Sequence, residues 1–182
     1  MMSKLSPSNN KNNIVLIGHM GSGKSTLGSY LAKKLDYKFI DTDTEIINEV
    51  DMPISNFFDK YGEKKFRDVE EKIILRLIEQ KDKNVIAFGG GAFQSAKVRN
   101  NVKKNATSIW LKCDLKTLAL RCSKKRNRPL LQNKDMKVVL KELNKLRADN
   151  FSKANYTFNV SKKTKSKLAA EIINELSIYE KN

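Results

Sequence analysis

A glycine-rich segment near the start of the chain carries the strongest chemical signal in the sequence. Residues 18–25, GHMGSGKS, match the pattern G-x-x-x-x-G-K-[ST] at every fixed position. Glycines let the backbone fold around phosphate groups, so that successive N–H groups and the start of a following helix face the anion. Lys24 is expected to reach the β- and γ-phosphates, and the Ser25 hydroxyl is expected to bind Mg²⁺. We therefore predict a site for a nucleoside triphosphate and magnesium.

A pair of carboxylates, Asp41 and Asp43, follows an apolar segment. We expect the pair to lie on extended chain at the end of a strand, so that both side chains point to the same side. One could then hold Mg²⁺ through water while the other takes a proton from an acceptor hydroxyl. The same Asp-Thr-Asp-Thr segment, ahead of Glu45, also fits the start of a helix, with one residue as the N-cap. Both interpretations can hold together.

Basic residues are abundant in this chain, but arginine is scarce. The 182 residues carry a formal net charge of +16, with 29 lysines and only 7 arginines. Residues 1–82 hold 13 basic and 13 acidic side chains, whereas residues 83–182 hold 23 basic and 7 acidic ones. A nucleic-acid surface is expected to cluster arginines and aromatic residues, and here the lysines are scattered. Since arginine binds carboxylates and phosphates through paired hydrogen bonds, each arginine is a candidate site residue.

The single histidine and the two cysteines give weaker signals. His19 occupies an unconstrained position of the glycine-rich segment, which favours a role as backbone spacer over acid–base chemistry. Cys113 and Cys122 are too few for a disulfide framework and fit no metal-ligand spacing. We interpret both cysteines as inert packing residues.

The elements that would position these residues alternate between strands and helices. Helical spacing predicts helices over 24–35, over most of 43–80 with breaks at Pro53 and Gly62, and over 166–179. Short apolar strands alternating with helices are typical of an α/β fold with a parallel sheet covered on both faces. The predicted strands cover residues 13–18, 37–41, 84–88, 107–111 and 155–160.

The chain length favours one domain, residues 13–182, behind a flexible tail of residues 1–12. Residues 121–136, RCSKKRNRPLLQNKDM, are polar and basic and predict a loop or mobile segment. No apolar run approaches the roughly 20 residues that span a bilayer, and the N-terminal residues lack the apolar segment of a secretory signal. We expect a cytoplasmic monomer without a membrane or nucleic-acid partner.

Several motifs in series resemble the shikimate kinase family. They are GHMGSGKST, FIDTDTEI, KKFRDVEE, AFGGGA and RNRPLL, followed by an arginine near an aromatic residue. The match covers about residues 12–160 in the family's order and spacing. It implies a three-layer α/β/α P-loop kinase with a five-stranded parallel sheet, an acceptor-binding segment at about 41–80 and a mobile lid at about 121–136. The implied reaction transfers the γ-phosphoryl group of ATP to the 3-hydroxyl of shikimate, in chorismate biosynthesis, with Mg²⁺.

On the nucleotide side, the resemblance assigns a role to each matching position. Ser25 would bind the magnesium and Asp41 would take part in its outer shell. Arg128 would close over the phosphates as a catalytic lid residue beside Lys24, and Arg121 would stack on adenine. The phosphate-binding positions would be Gly21, Ser22, Gly23, Lys24, Ser25 and Thr26.

On the acceptor side, the resemblance makes Asp43 the partner of the substrate hydroxyls and the catalytic base. Arg67 and Arg147 would bind the shikimate carboxylate, which arginine suits because it can donate two parallel hydrogen bonds. The alternative for Arg67 is a surface salt bridge with a glutamate at helical spacing, which would contribute little. Those glutamates are Glu63, Glu70 and Glu71, and the backbone expected against the substrate ring is that of Gly89, Gly90 and Gly91.

Two other functions compete with this interpretation. Another small-molecule kinase of the same fold, such as a gluconate or nucleoside-monophosphate kinase, would lack the combination of Asp-x-Asp, Phe-Arg-Asp and triple glycine. A basic nucleic-acid-associated P-loop protein would not turn over a small molecule. The chain also departs from the family after Arg147, because RADNF stands where the family reads R-x-P-L-Y, so that Phe151 replaces the tyrosine.

Overall fold

Five strands form one parallel sheet at the centre of the protein. The computed structural model describes residues 11–80, 82–123 and 136–180. The strands are β1 (Asn13–Ile17), β2 (Lys38–Asp41), β3 (Asn84–Ala87), β4 (Ala106–Lys112) and β5 (Tyr156–Asn159). Their order in the sheet is β2-β3-β1-β4-β5, and every neighbouring pair is parallel. The predicted five-stranded parallel sheet is therefore confirmed.

Helices cover both faces of this sheet, and β1 shows why. All five residues of β1 are buried, and its side chains alternate between the two faces. The helices are α1 (Lys24–Leu35), α2 (Thr42–Val50), α3 (Ile54–Glu79), α4 (Ala96–Asn105), α5 (Leu115–Ser123), α6 (Met136–Phe151) and α7 (Lys165–Glu180). Val15 and Ile17 pack into a core with α2, α3 and α4, whereas Ile14 and Leu16 pack into a second core with α1 and α7.

The long helix α3 is broken at one glycine. Pro53 precedes its first residue, as the sequence predicted. At Gly62 the backbone takes φ 77° and ψ 170°, a non-helical conformation that divides α3 into two helical segments. Glycine adopts this conformation without steric cost, so the predicted stop is a kink at which the chain resumes the helix.

The predicted lid segment and tail fall largely outside the described residues. Arg121 and the two residues after it complete α5, and Met136 begins α6, so the described ends of the predicted loop are helical. Across the described ranges, no helix combines the length and the apolar character needed to cross a membrane.

Candidate active site

The turn between β1 and α1 has the backbone shape that binds phosphate groups. Gly18 has φ 144° and Gly21 has φ 79°, which other residues rarely adopt. There is also no room for a larger residue, since a Cβ atom would lie 2.8 Å from Leu111 O at Gly18 and 2.8 Å from Cys122 Sγ at Gly21. The turn sits at the carboxyl end of the central strand, where open α/β sheets bind their ligands.

Lys24, the first residue of α1, directs its charge into this turn. Its Nζ donates hydrogen bonds to Gly18 O at 2.8 Å and His19 O at 3.0 Å. The ammonium group is thus held where a phosphate bound by the turn would lie, next to the helix N-terminus that already favours an anion.

Ser25 and Asp41 place two oxygen atoms together at the edge of the turn. Ser25 Oγ donates to Asp41 Oδ2 at 2.6 Å, and Asp41 Oδ1 accepts from the backbone N of Asp43 at 3.1 Å. Asp41 is therefore the N-cap of α2, as one of the two interpretations predicted. The prediction that Asp43 lies on extended chain is wrong, because α2 begins at Thr42.

The same hydroxyl and carboxylate fit a magnesium ion. Mg²⁺ prefers hard oxygen ligands, and it is usually held by one or two carboxylates together with phosphates and water. Within the described ranges, no group of three or more His, Cys, Asp or Glu residues could hold a metal. A site with few protein ligands, such as Ser25 and Asp41, suits an ion that arrives with the nucleotide phosphates.

Asp43 and Glu70 bring two carboxylates against Gly89. A Cβ atom on Gly89 would lie 2.7 Å from Glu70 Oε1 and 2.8 Å from Asp43 Oδ1. Thr42 Oγ1 accepts from Gly89 N at 2.9 Å and so fixes the start of α2 to the end of β3. Burial raises the pKa of Glu70, against the lowering effect of the Arg67 guanidinium, and the Asp43 charge raises it further.

The guanidinium group of Arg67 lies on the backbone of Gly91. Its Nη1 donates to Glu70 Oε2 at 2.6 Å and its Nη2 to Glu63 Oε1 at 3.1 Å, and a Cβ atom on Gly91 would lie 2.6 Å from Nη1. Burial alone would lower the pKa of Arg67, but Glu70 and Glu63 outweigh it and raise the pKa. The alternative, a surface salt bridge, describes the pair with exposed Glu63. It does not describe the pair with Glu70, which is 2% exposed.

Arg147, from α6, approaches the neighbouring glycine from the other side. Its Nη1 donates to Gly90 O at 3.1 Å, and the residue is 9% exposed. Burial lowers its pKa, as does the charge of Arg67, while Glu70 and Glu63 act in the opposite direction. Two guanidinium groups thus face the triple-glycine segment closely enough to repel each other, and an anion bound between them would relieve that repulsion.

Arg121 connects the phosphate-binding turn to the end of β5. Its Nη1 donates to Gly21 O at 3.4 Å and its Nη2 to Val160 O at 3.3 Å. The expected stacking on adenine remains a prediction. Arg128 lies outside the described residues.

One cleft of about 850 Å³ collects these side chains. It opens at the carboxyl ends of the strands, and both the phosphate-binding turn and the two arginines line it. Every predicted site residue that the structure describes lines it: Gly21, Ser22, Gly23, Lys24, Ser25, Thr26, Asp41, Asp43, Arg67, Gly89, Gly90, Gly91, Arg121 and Arg147.

Comparison with known proteins identifies the family. The model of the family described as shikimate kinase matches residues 20–177. The chain belongs to the shikimate kinase family. A shikimate kinase of Bartonella henselae is 42% identical over 166 residues, which cover 91% of this chain and 79% of the relative. One of Mesorhizobium japonicum is 39% identical over 163 residues, covering 90% and 80%.

Solved shikimate kinase structures share the fold as well. Shikimate kinase from Acinetobacter baumannii in complex with shikimate has a TM-score of 0.86 at 33% identity and covers 90% of this chain and 92% of its own. Shikimate kinase from Aquifex aeolicus has a TM-score of 0.79 at 32% identity, covering 91% and 96%. As a member of the shikimate kinase family, the protein is a kinase.

The sequence does not identify two residues of this region, Glu70 and His19. It presents Glu70 only as a possible surface partner of Arg67, although Glu70 lines the cleft and is buried against Gly89. Its spacing of three residues from Arg67 was the available signal, because residues three apart share a helix face. The position of His19 predicts a backbone spacer, yet its ring is buried and hydrogen-bonded to Asn144, 125 positions away. No signal in the sequence joins those two residues.

Proposed function

We propose that this protein transfers the γ-phosphoryl group of ATP to the 3-hydroxyl of shikimate, giving ADP and shikimate 3-phosphate in chorismate biosynthesis. The observation that carries the proposal is the pair of guanidinium groups, Arg67 and Arg147, on the triple-glycine segment of a cleft that also holds a phosphate-binding turn. An acceptor with one carboxylate and several hydroxyls suits this arrangement. The carboxylate would bind at the arginine pair and a hydroxyl would face the turn.

The arginine pair positions the acceptor without taking part in bond making. Arg67 is already oriented by Glu70 and Glu63, so little side-chain freedom is lost when it binds a carboxylate. Arg147 is held by Gly90 O and gains a counter-charge from the same carboxylate. Fixing the acceptor through its carboxylate converts a bimolecular encounter into a nearly intramolecular reaction at its hydroxyl.

Asp43 is the proposed general base. Its Oδ1 lies beside Gly89, in the cleft that the phosphate-binding turn and the two arginines also line. The acceptor hydroxyl would donate its proton to the Asp43 carboxylate as its oxygen bonds to the γ-phosphorus. The bond between that phosphorus and the β–γ bridging oxygen breaks, and ADP leaves with the bonding electrons. Lys24 and the N–H groups of the turn would stabilise the charge that develops on the phosphoryl oxygens.

Ser25 and Asp41 would hold the magnesium ion of the nucleotide. The ion supplies electrostatic stabilisation of the β- and γ-phosphate oxygens when it is bound. For its part the chain supplies two oxygen atoms that already lie 2.6 Å apart. Because Asp41 also caps α2, the metal site and the start of the helix that carries Asp43 are fixed by one carboxylate.

The acceptor is tested by measuring ADP release with shikimate, quinate and gluconate, and by identifying the product by phosphorus NMR. We expect fast turnover with shikimate and a product phosphorylated at the 3-hydroxyl. Gluconate also carries a carboxylate, so it tests whether the rest of the cleft selects the ring. Faster turnover with gluconate would reject shikimate as the substrate.

Replacing the base separates catalysis from binding. Asp43→Asn should lower kcat by about 10²–10⁴-fold, the usual contribution of general-base catalysis, while ADP binds with unchanged affinity because the turn is intact. Asp68→Asn makes the same change at an exposed position of α3 outside the cleft and should leave kcat unchanged. A kcat for Asp43→Asn within tenfold of the wild-type value would exclude the base role.

A further inference from the structure

Helix α6 contacts both the phosphate-binding turn and the triple-glycine segment through polar side chains. Asn144 contacts His19 in the phosphate-binding turn, with Asn144 Oδ1 3.1 Å from His19 Nε2. Three residues further on, Arg147 donates to Gly90 O. After another three, Asn150 Nδ2 donates to Gln94 Oε1 at 2.7 Å. A spacing of three places neighbouring members of this set on one helix face, so one helix contacts the turn through Asn144 and the triple-glycine segment through Arg147.

The ring of His19 is buried in a way that a spacer does not need. The residue is 3% exposed, and its ring meets Phe151 edge-on at 5.1 Å between centroids. Because the Asn144 oxygen can only accept, Nε2 carries the proton, and within the described residues the other nitrogen, Nδ1, has no partner. An unpartnered buried nitrogen costs free energy. An apolar side chain would fill the same space without that cost. The feature that distinguishes histidine from such a side chain here is its hydrogen bond to Asn144.

The backbone carbonyl of His19 lies beside the charge of Lys24. Its carbonyl oxygen accepts hydrogen bonds from Lys24 Nζ at 3.0 Å and from Ser22 N at 3.2 Å. A phosphate group bound in the turn competes for the Lys24 ammonium and so changes the contacts of this carbonyl. The same residue, His19, contacts Lys24 through its backbone and Asn144 of α6 through its ring.

We infer that His19 is a positioning residue that couples the phosphate-binding turn to the helix carrying Arg147, so that nucleotide and acceptor bind more tightly together than alone. The inference rests on the proposed function for the identity of the two ligands. Coupling of this kind is reciprocal, since each ligand must raise the affinity of the other by the same factor. Its size is bounded by one neutral hydrogen bond, which corresponds to about 2- to 12-fold.

Calorimetry on the full chain tests the inference by titrating shikimate with and without saturating ADP and Mg²⁺. The coupling ratio is the shikimate Kd without ADP divided by the Kd with it. We expect a ratio of about 2–12 for wild type. His19→Gln places an amide N–H where Nε2 donates and should keep the ratio, whereas His19→Leu and Asn144→Leu should each bring it to 1.

Two further variants separate coupling from a general loss of packing. The double variant His19→Leu/Asn144→Leu should show no further loss, since both changes remove one interaction. Lys145→Leu makes the Asn144 replacement at the next, exposed position of α6 and should keep the wild-type ratio. If His19→Leu fails to fold, Asn144→Leu alone carries the test, because it leaves the turn unchanged.

The results that would overturn the inference differ from those that would overturn the proposed function. A wild-type ratio of 1, or an unchanged ratio in folded His19→Leu or Asn144→Leu, refutes the coupling while shikimate binding stands. Complete absence of shikimate binding by the wild-type protein, with or without ADP, refutes the proposed function, and the inference falls with it.

Discussion

Replacing Gly91 by alanine should damage the acceptor site through Arg67 alone. Gly91 has φ −100° and ψ −18°, a conformation that alanine adopts without strain. Its Cβ atom would, however, lie 2.6 Å from Arg67 Nη1 and 2.7 Å from Cζ. Since ordinary contacts begin near 3.4 Å, the guanidinium must move by about 0.8 Å, away from the position in which Glu70 holds it.

The expected loss is that of a charge-assisted hydrogen bond to the substrate carboxylate. Such a bond contributes about 1.5–3 kcal/mol, so the shikimate KM should rise about 10- to 150-fold. The carboxylate lies away from the reacting hydroxyl, and its contacts are the same in the ground and transition states. Removing an interaction of that kind raises KM and leaves kcat nearly unchanged. The KM for ATP should not change.

A coupled ADP-release assay tests this prediction by measuring the shikimate KM of four proteins. They are wild type, Gly91→Ala, Arg67→Ala and the double variant. If the new methyl group acts by displacing Arg67, Gly91→Ala has no further effect once Arg67 is alanine. Equal losses in both backgrounds would mean that the methyl group touches the substrate directly. A shikimate KM within threefold of wild type for Gly91→Ala would refute the carboxylate role of Arg67.

Three further predictions concern the nucleotide side of the cleft. Asp41→Asn keeps a good N-cap for α2 but removes a charge from the proposed metal site. The Mg²⁺ concentration for half-maximal rate should therefore rise while the thermal midpoint of unfolding stays unchanged. An unaltered Mg²⁺ dependence would exclude Asp41 from the metal site. Arg121→Ala removes the bonds to Gly21 O and Val160 O, and should raise the KM for ATP and spare that for shikimate; an effect confined to shikimate would contradict this placement. Burial lowers the pKa of His19 below its ordinary 6.5, the bond to Asn144 opposes this, and Arg147 and Lys24 lower it further. The contribution of the neutral ring to the free energy of unfolding is therefore complete above about pH 6.5 and is lost as the pH falls from there through the folded-state pKa. Between pH 7.5 and 5.5, the free energy of unfolding in urea should fall more for wild type than for His19→Gln. Equal falls would contradict the lowered pKa.

The sheet and the phosphate-binding turn could be predicted because their signals are local. A buried strand such as β1 is a continuous apolar run, and the turn after it is defined by glycines and Lys24 within eight residues. Arg67 and Gly91 could be assigned to one site only through resemblance, since they are brought together by the packing of α3 against the end of β3.

What the sequence could not supply is the burial of polar groups whose partners are distant. A glutamate in a helix is expected at the surface, and only the packing of α3 shows that Glu70 is buried beside Asp43. Strand alternation, from which the sequence predicts that Asp41 and Asp43 point the same way, does not apply. The chain turns into α2 immediately after Asp41, so a cap and a helix position, and not strand alternation, bring Asp43 to the cleft.

The kink at Gly62 divides the acceptor wall into two parts with separate tasks. Ile54 and Phe58, before the glycine, offer the cleft only hydrocarbon surface. After it, Phe66 adds hydrocarbon surface, while Arg67 and Glu70 supply charge. All the charge that α3 brings to the cleft therefore comes from the segment after the break. Variants selected for a bulkier ring can accumulate changes in the first segment while the carboxylate contact stays intact.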